Sequence, residues 1–266
     1  MVRRARLDAE LVRRGLARSR EQAVELVLAG RVRVGGQRAT KAATAVEPGT
    51  PLLVDSAERD PGWASRGAHK LLGALAAFPT IGVRGRRCLD AGASTGGFTD
   101  VLLRGGAVAV VAVDVGYGQL AWPLRSDPRV VVHDRANVRD LGPEQIGGPA
   151  DLVVADLSFI SLRLTLPALT ACTAADGDLL PMVKPQFEVG KDRLGAGGVV
   201  RDPELRAEAV RSVAMRAHEL GFGVAGVVAS PLPGPAGNVE FFLWLRRDAP
   251  ALDQAALELA IERGPA

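Results

Sequence analysis

Residues 180–191 read LPMVKPQFEVGK, an apolar run that delivers Lys184 directly onto a proline. An ammonium is strongly hydrated, so a lysine at the end of a buried strand calls for a purpose. Other apolar stretches also end on a polar group. VVADLSFISL places Asp156 at its tip, SPLPGPAGNVEFFLW places Glu240 at the start of the last run, and SRGAHKL carries Lys70 on a helical stretch. Amines and carboxylates that meet at one point suit work on a hydroxyl group. A neutral amine can take the proton, and a charged one can stabilise the developing alkoxide. A free lysine, at pKa ~10.4, is a poor base at neutral pH; burial and a second cation lower that value, and carboxylates raise it. Each residue has a plain structural reading as well. Asp156 can cap a helix in competition with Ser158, Glu240 can sit on a surface strand, and Lys70 can lie on an exposed helix face. Their joint placement at strand tips favours the chemical reading.

A second set of polar groups follows the earlier runs. LDAGASTGGF supplies Asp90, Gly92, Ser94, Thr95, Gly96, Gly97 and Phe98. This is neither GxGxxG nor a Walker A loop, because no GK[ST] follows. A glycine loop between strand and helix lets backbone amides approach a ligand, and it also serves as a plain tight turn. Asp114 ends the next run about twenty residues on, where a carboxylate can accept both hydroxyls of a ribose. Asp134 and Asn137 follow the third run, at the place of an adenine, although Asp134 can instead cap the following helix. Asp156, at the fourth tip, joins this set. With no Arg or Lys in the loop to meet a pyrophosphate, these acceptors favour S-adenosyl-L-methionine over NAD.

These residues need a frame that gathers strand ends. From residue 65 onward, RRCLDAG, AVAVVAVDVG, RVVVHDRAN, ADLVVADLS, GDLLPMVKP, GFGVAGVVAS and VEFFLWL are seven short apolar runs without alternation. Such runs indicate strands buried on both faces, as in a largely parallel sheet. Ligands of these sheets lie beyond the carboxyl ends of the strands. The arrangement resembles class I methyltransferases, a Rossmann-like α/β fold with a mostly parallel seven-stranded sheet. PELRAEAVRSVAMRAHEL reads as an amphipathic helix packed on the sheet. GAGGVVRD, residues 195–202, is too glycine-rich for a helix and reads as a mobile loop over the site, carrying Lys191, Arg193 and Arg201 toward the phosphates of a polyanion, with a solvated loop of no catalytic importance as the competitor.

The first 46 residues differ in character. They hold eleven Arg or Lys against four acids, which leaves the rest of the chain net acidic within an overall charge of +3. Such asymmetry marks a polyanion-binding end, or a solvated helical face. Apolar residues at 7, 11, 12 and 16 have helical spacing, and Gly15 is placed to end that helix. Ser19, with Gln22 three positions on, fits a capping box for a second helix. RVRVGGQRAT reads as a hairpin turning at Gly35 and Gly36. Two helices and a small sheet with these arginines resemble the S4 RNA-binding domain, an α+β module, on Arg6, Leu7, Asp8, Gly15, Ser19, Arg20, Ala23, Gly30, Val32, Val34 and Gly36. The resemblance implies docking on structured RNA through shape and phosphates, with Arg4, Arg6, Arg18, Arg20, Arg31 and Arg33 as contacts. The expected organisation is an S4-like domain over 1–55, a linker over 56–64 and a methyltransferase domain over 65–266. In the linker, Trp63 is expected to pack against a domain or to stand as a hinge.

The spacing of Lys70, Asp156, Lys184 and Glu240 is similar to the K-D-K-E tetrad of FtsJ-like ribose 2'-O-methyltransferases. Together with the S4 module, SRGAHKL, LDAGASTGGFTD, DVGYGQLAW, ADLSFISL, VKPQFEVGK, GGVVRDP and GPAGNVEFFL resemble the TlyA (haemolysin A) family across nearly the whole chain. One departure is Ala68, where that pattern has glycine. The resemblance implies methyl transfer from S-adenosylmethionine to a cytidine ribose of 16S or 23S ribosomal RNA, on free RNA or on ribosomal subunits. Asp156 and Glu240 would orient the two lysines. The family's older name implies a rival, a membrane-lysing protein, and a non-catalytic ribosomal RNA-binding assembly factor is a third reading. No apolar stretch approaches the ~18 residues of a membrane span, and the N-terminus lacks a signal-peptide core. Cys88 and Cys172 show no pairing pattern, and His69, His133 and His218 show no ligand spacing. No metal is indicated, no membrane partner is expected, and a reducing cytoplasm is the expected location.

Overall fold

A computed structural model describes residues 4–17, 19–28, 30–54 and 62–265. The chain divides into two compact units, Met1–Gly62 and Trp63–Ala266. Arg18 and residues 56–61 of the expected linker lie outside the described residues.

The first unit runs β1 (Ala5–Arg6), α1 (Leu7–Arg13), α2 (Arg20–Leu28), β2 (Val32–Val34), β3 (Gln37–Arg38), β4 (Ala45–Val46) and β5 (Leu52–Val54). The expected helical face is buried, with Leu7 and Leu11 packed against Ala23, Val27, Val32 and Val46. Ser19 accepts the Gln22 backbone N–H at 3.1 Å, which satisfies one of the unpaired donors at the start of α2. Gly35 and Gly36 both have positive φ, as a two-residue hairpin turn between β2 and β3 requires. β1 pairs with β4, and β2 lies between β3 and β5.

The second unit begins with α3 (Gly67–Ala77). It continues β6 (Arg87–Ala91), α4 (Gly97–Arg104), β7 (Ala109–Asp114), α5 (Trp122–Arg125), β8 (Val130–Asp134), β9 (Ala150–Ala155) and α6 (Leu162–Ala171). β10 (Thr173–Val183), α7 (Pro185–Glu188), α8 (Pro203–Glu219), β11 (Gly223–Ala229), β12 (Phe241–Arg246) and α9 (Gln254–Glu262) complete it. Seven strands form one sheet in the order β11-β12-β10-β9-β6-β7-β8. β12 runs antiparallel to both neighbours, and the pairs from β10 through β9, β6 and β7 to β8 are parallel. Successive residues of a strand enter opposite cores. Leu89, Val111 and Val153 pack on one face, and Cys88, Val110 and Leu152 on the other. Both faces are covered, so the runs read as continuous apolar stretches. Each fully buried Val or Leu contributes roughly 1.5–3 kcal/mol, which fixes the sheet that carries the polar tips. α8 buries Ala207, Val210, Val213, Ala214 and Ala217 on the sheet, as its pattern predicts.

Candidate active site

The strand order gathers the four candidate residues. Val183 pairs with Phe241 and Met182 with Phe242, so continuing that register sets Lys184 opposite Glu240. Pro181 pairs with Ala155 on the other side of β10, which brings Asp156 to the same end. Lys70 reaches in from α3. Lys70 Nζ donates to Glu240 Oε2 at 2.5 Å. Lys184 Nζ lies 2.6 Å from Asp156 Oδ1 and donates to Ser158 Oγ at 3.0 Å. The Asp156 contact is an ion pair without hydrogen-bond alignment, and Oδ1 is itself enclosed. The two pairs differ in access. Lys70 and Glu240 side chains are 6% and 1% exposed, whereas Lys184 and Asp156 are 9% and 23% exposed, so the Lys184–Asp156 pair is the less enclosed of the two. Ala68, in place of the expected glycine, is fully buried and leaves Lys70 in register.

The cofactor candidates are placed unevenly. Gly92 has φ +87, and a Cβ there would lie 2.5 Å from the Asp156 backbone oxygen, so the turn packs directly onto the segment that carries Asp156. Ser94 and Thr95 are exposed at the loop. Asp114 Oδ2 accepts the Ser94 N–H at 2.8 Å and Oδ1 accepts the Gly116 N–H at 2.7 Å, so the loop and the second strand tip are tied together. Asp90 is fully buried beneath the loop, with one oxygen accepting the Thr99 hydroxyl at 2.6 Å and Oδ1 unpartnered. Burial pushes its carboxyl up to about 7.

At four places the structure adds contacts that the sequence did not show. Phe98 is buried against Phe242 with ring centroids 6.1 Å apart, because the start of α4 turns its apolar face to the core. Gly96 and Gly97 serve packing, since a Cβ would strike the Leu124 side chain at 2.3 Å and the Ala68 backbone nitrogen at 2.9 Å respectively. Asn137 caps a short 3₁₀ turn by accepting the Arg139 N–H, and the Asp134 carboxylate pairs with Arg125 at 2.8 Å, which holds it below the usual carboxylate range. The stretch 195–202 is not a free loop. Val199 and Val200 are buried, and the Asn238 side chain accepts the Val200 N–H at 2.9 Å and donates to Gly198 O at 3.0 Å. Arg193, near it, is paired bidentately with Glu208 at 2.6 and 2.7 Å, while Lys191 is exposed.

Two features, at Ser161 and Glu188, lay outside the sequence reading, and Trp63 takes the first of its two expected places. Ser161, rather than Asp156 or Ser158, caps α6. Glu188, an acid four residues after Lys184 among apolar neighbours, is buried, and burial pushes its carboxyl up against the pull of the Ser161 hydroxyl. Trp63 packs under the Arg104 guanidinium at 4.3 Å, and Arg104 is in turn held by Asp100, so Trp63 is part of the second unit.

In the first unit, Arg4 pairs with Glu47, and Arg6 and Arg20 both approach Asp8, at 2.9 and 3.3 Å. Arg33 stands directly across from Arg38 in the hairpin. Arg31 is half-buried and Arg33 exposed.

Comparison with known proteins gives two family matches: an FtsJ-like methyltransferase over residues 63–247 and an S4 domain over residues 5–52. The chain is 65% identical over 265 residues to the 16S/23S rRNA (cytidine-2'-O)-methyltransferase TlyA of Mycobacterium tuberculosis, covering 99% of this chain and 98% of the relative. It is 35% identical to hemolysin A of Brachyspira hyodysenteriae, covering 89% and 97% of the two chains. A solved structure of a hemolysin-named protein from Streptococcus thermophilus superimposes with a TM-score of 0.78 at 37% identity, over 99% of this chain and 96% of that one.

Proposed function

This chain belongs to the TlyA family, an S4 domain joined to an FtsJ-like methyltransferase, and from that premise we propose that it methylates the ribose 2'-hydroxyl of cytidine in 16S or 23S ribosomal RNA, with S-adenosylmethionine as the methyl donor. The observation that carries this reading is Lys184 held between Asp156 and Ser158 at the accessible end of the sheet.

The donor set fits an adenosyl ligand bearing positive charge. Asp90 Oδ1 is a buried acceptor without a partner, the Asp114 carboxylate shapes the glycine loop, and the loop carries no cation for a pyrophosphate. When bound, S-adenosylmethionine supplies an electrophilic methyl group beside the strand tips. The protein's own part is to bring the ribose oxygen into line and to manage its proton. That oxygen gains a methyl and loses a proton. A neutral Lys184 takes the proton, and Asp156 then stabilises the resulting ammonium. A charged Lys184 instead holds the developing alkoxide while the proton leaves to solvent. The two roles differ in their rate profiles: deprotonating the lysine raises the rate in the first and lowers it in the second. The buried Lys70–Glu240 pair fixes the flank of Lys184 from the opposite strand.

The S4 unit would hold the RNA through Arg4, Arg6, Arg20 and Arg33, with ribosomal RNA alone or in a ribosomal subunit as the partner and the cytoplasm as the place of action. The rival lytic reading finds no support in the helices. Among the described residues none is long and apolar enough to cross a membrane.

The test is methyl transfer from labelled S-adenosylmethionine to unmodified 16S and 23S RNA, with mass spectrometry to locate the methyl on a ribose. Lys184→Ala should lose activity by about 10³-fold or more, while RNA affinity stays unchanged. Equal labelling by the two proteins, or a methyl found on a base, would overturn the proposal.

A further inference from the structure

Two segments carry the accessible pair: residues 156–162, with Asp156 and Ser158, and residues 184–188, with Lys184. They are fastened at three successive points. At the inner end Lys184 meets Asp156 and Ser158, at 2.6 and 3.0 Å. In the middle the Phe159 and Phe187 rings lie with centroids 5.5 Å apart. At the outer end Glu188 Oε2 accepts the Ser161 hydroxyl at 2.5 Å and Oε1 accepts the Leu162 N–H at 2.7 Å. Leu162 is the first residue of α6, so its N–H is one of the donors that the helix itself leaves unpaired, and a carboxylate there also meets the positive end of the helix. The Ser161 hydroxyl oxygen in turn accepts the Arg163 N–H, so a single side chain links Glu188 to the helix cap.

Between these fastenings the backbone is strained. Phe159 has φ +63 and a side chain 92% exposed. A non-glycine residue in that region costs on the order of 1 kcal/mol, and no burial of the Phe159 ring in the core offsets it. The conformation therefore depends on what holds the two ends. One end is the catalytic contact. The other is Glu188.

We propose that Glu188 is a positioning residue for methyl transfer: by anchoring the start of α6 it fixes the loop that sets Asp156 and Ser158 against Lys184. The inference rests on the reading of Lys184 as the group that meets the substrate hydroxyl. Without the Glu188 carboxylate the loop relaxes, and Lys184 loses its fixed partners. A displacement of about 1 Å next to reacting atoms costs on the order of 10²-fold in rate. RNA docking through the S4 unit and cofactor binding at the glycine loop use other residues and stay as they were.

The experiment is single-turnover methyl transfer by the full-length protein at saturating RNA and S-adenosylmethionine, alongside calorimetric affinities for both and thermal melts. Glu188→Ala should slow the chemical step by about tenfold or more with both affinities within about twofold of wild type. Glu188→Gln keeps an oxygen for the Leu162 N–H and should recover much of the rate, a rescue that general loss of structure would not follow. Ser161→Ala should fall between them. A wild-type rate in folded Glu188→Ala, or a loss seen only as weaker binding, overturns the inference. If Glu188→Ala does not fold, the other two variants decide: slowed chemistry with intact binding supports positioning, and wild-type rates in both overturn it. A wild-type protein that transfers no methyl would bring down the reaction itself, which is a different result from an active wild type matched by its variants.

Discussion

The S4 unit and the methyltransferase unit use the same kinds of charge in opposite ways. In the first, the buried carboxylates Asp8 and Glu10 sit beneath arginines, with Arg6 and Arg20 on Asp8 and Arg13 and Arg14 on Glu10. The guanidinium side chains of Arg6 and Arg20 are 54% and 61% exposed. A guanidinium has five N–H donors, so one that holds a carboxylate on its inner side can still meet a phosphate on its exposed side. In the second unit, both members of the Lys70–Glu240 pair are buried, and neither can leave without stranding the other. The first arrangement leaves positive charge at the surface, and the second encloses both charges. The carboxyl groups record this. The hydrogen bond from Arg6 holds Asp8 down at about 2, whereas burial pushes Asp90 up to about 7.

The largest effect should come from breaking the buried pair. Lys70→Met leaves the Glu240 carboxylate enclosed with no counter-charge, which should cost about 3–5 kcal/mol in chemical denaturation. Lys70→Met combined with Glu240→Gln removes both charges and should regain much of that stability. Methyl transfer should be lost in both proteins, since stability and chemistry separate here. A single variant as stable as wild type would show that Lys70 and Glu240 hold no more than an exposed ion pair does, and the contrast between the units would fail.

The same contrast explains what was legible in the sequence. The seven strands could be read because both sheet faces are buried, so each run is apolar throughout. The positions of Lys184, Asp156 and Glu240 at strand tips followed directly. Ser19 and the Gly35–Gly36 turn could be read because capping and turn chemistry are local. Which lysine pairs with which acid could not be read, because that depends on the register of β12 against β10 and on the reach of α3. Phe98 could not be assigned to the core without knowing which face of α4 meets Phe242. The loop 195–202 looked free because its anchor, Asn238, lies 38 residues beyond Val200 in the chain. Glu188 was passed over because its partners lie on a different connection of the sheet.

A smaller effect should come from the exposed arginines. Replacing Arg6 and Arg20 with alanine should weaken RNA binding and flatten its salt dependence. The slope of log affinity against log salt should fall by about 0.7–0.9 for each phosphate that the protein no longer neutralises. Affinity for S-adenosylmethionine, measured by calorimetry, should not change. If cofactor affinity fell as much as RNA affinity, these arginines would have to serve the second unit, and the division of labour between release and rigidity would be wrong.

The last effects concern pH, and they should have opposite signs in the two units. Asp8 has a folded-state value of about 2, below its ordinary 3.8, so its contribution is fully present above 3.8 and is lost as pH falls toward about 2. Asp8→Asn should therefore melt below wild type at neutral pH, and the gap should close in acid. Asp90 is raised to about 7, so the fold holds its proton after the unfolded chain has released it. Its presence is tolerated below 3.8, and it weakens the fold progressively as pH rises from 3.8 to about 7, with no further change above. Asp90→Asn keeps an oxygen for the Thr99 hydroxyl and removes the ionisation, so it should match wild type in acid and melt above it at pH 8. Melting curves of the full-length protein and both variants across pH would show two gaps of opposite sign. If the Asp90→Asn gap instead opened in acid, the Asp90 carboxyl would be stabilised as an anion, and the two units would be handling their buried acids in the same way.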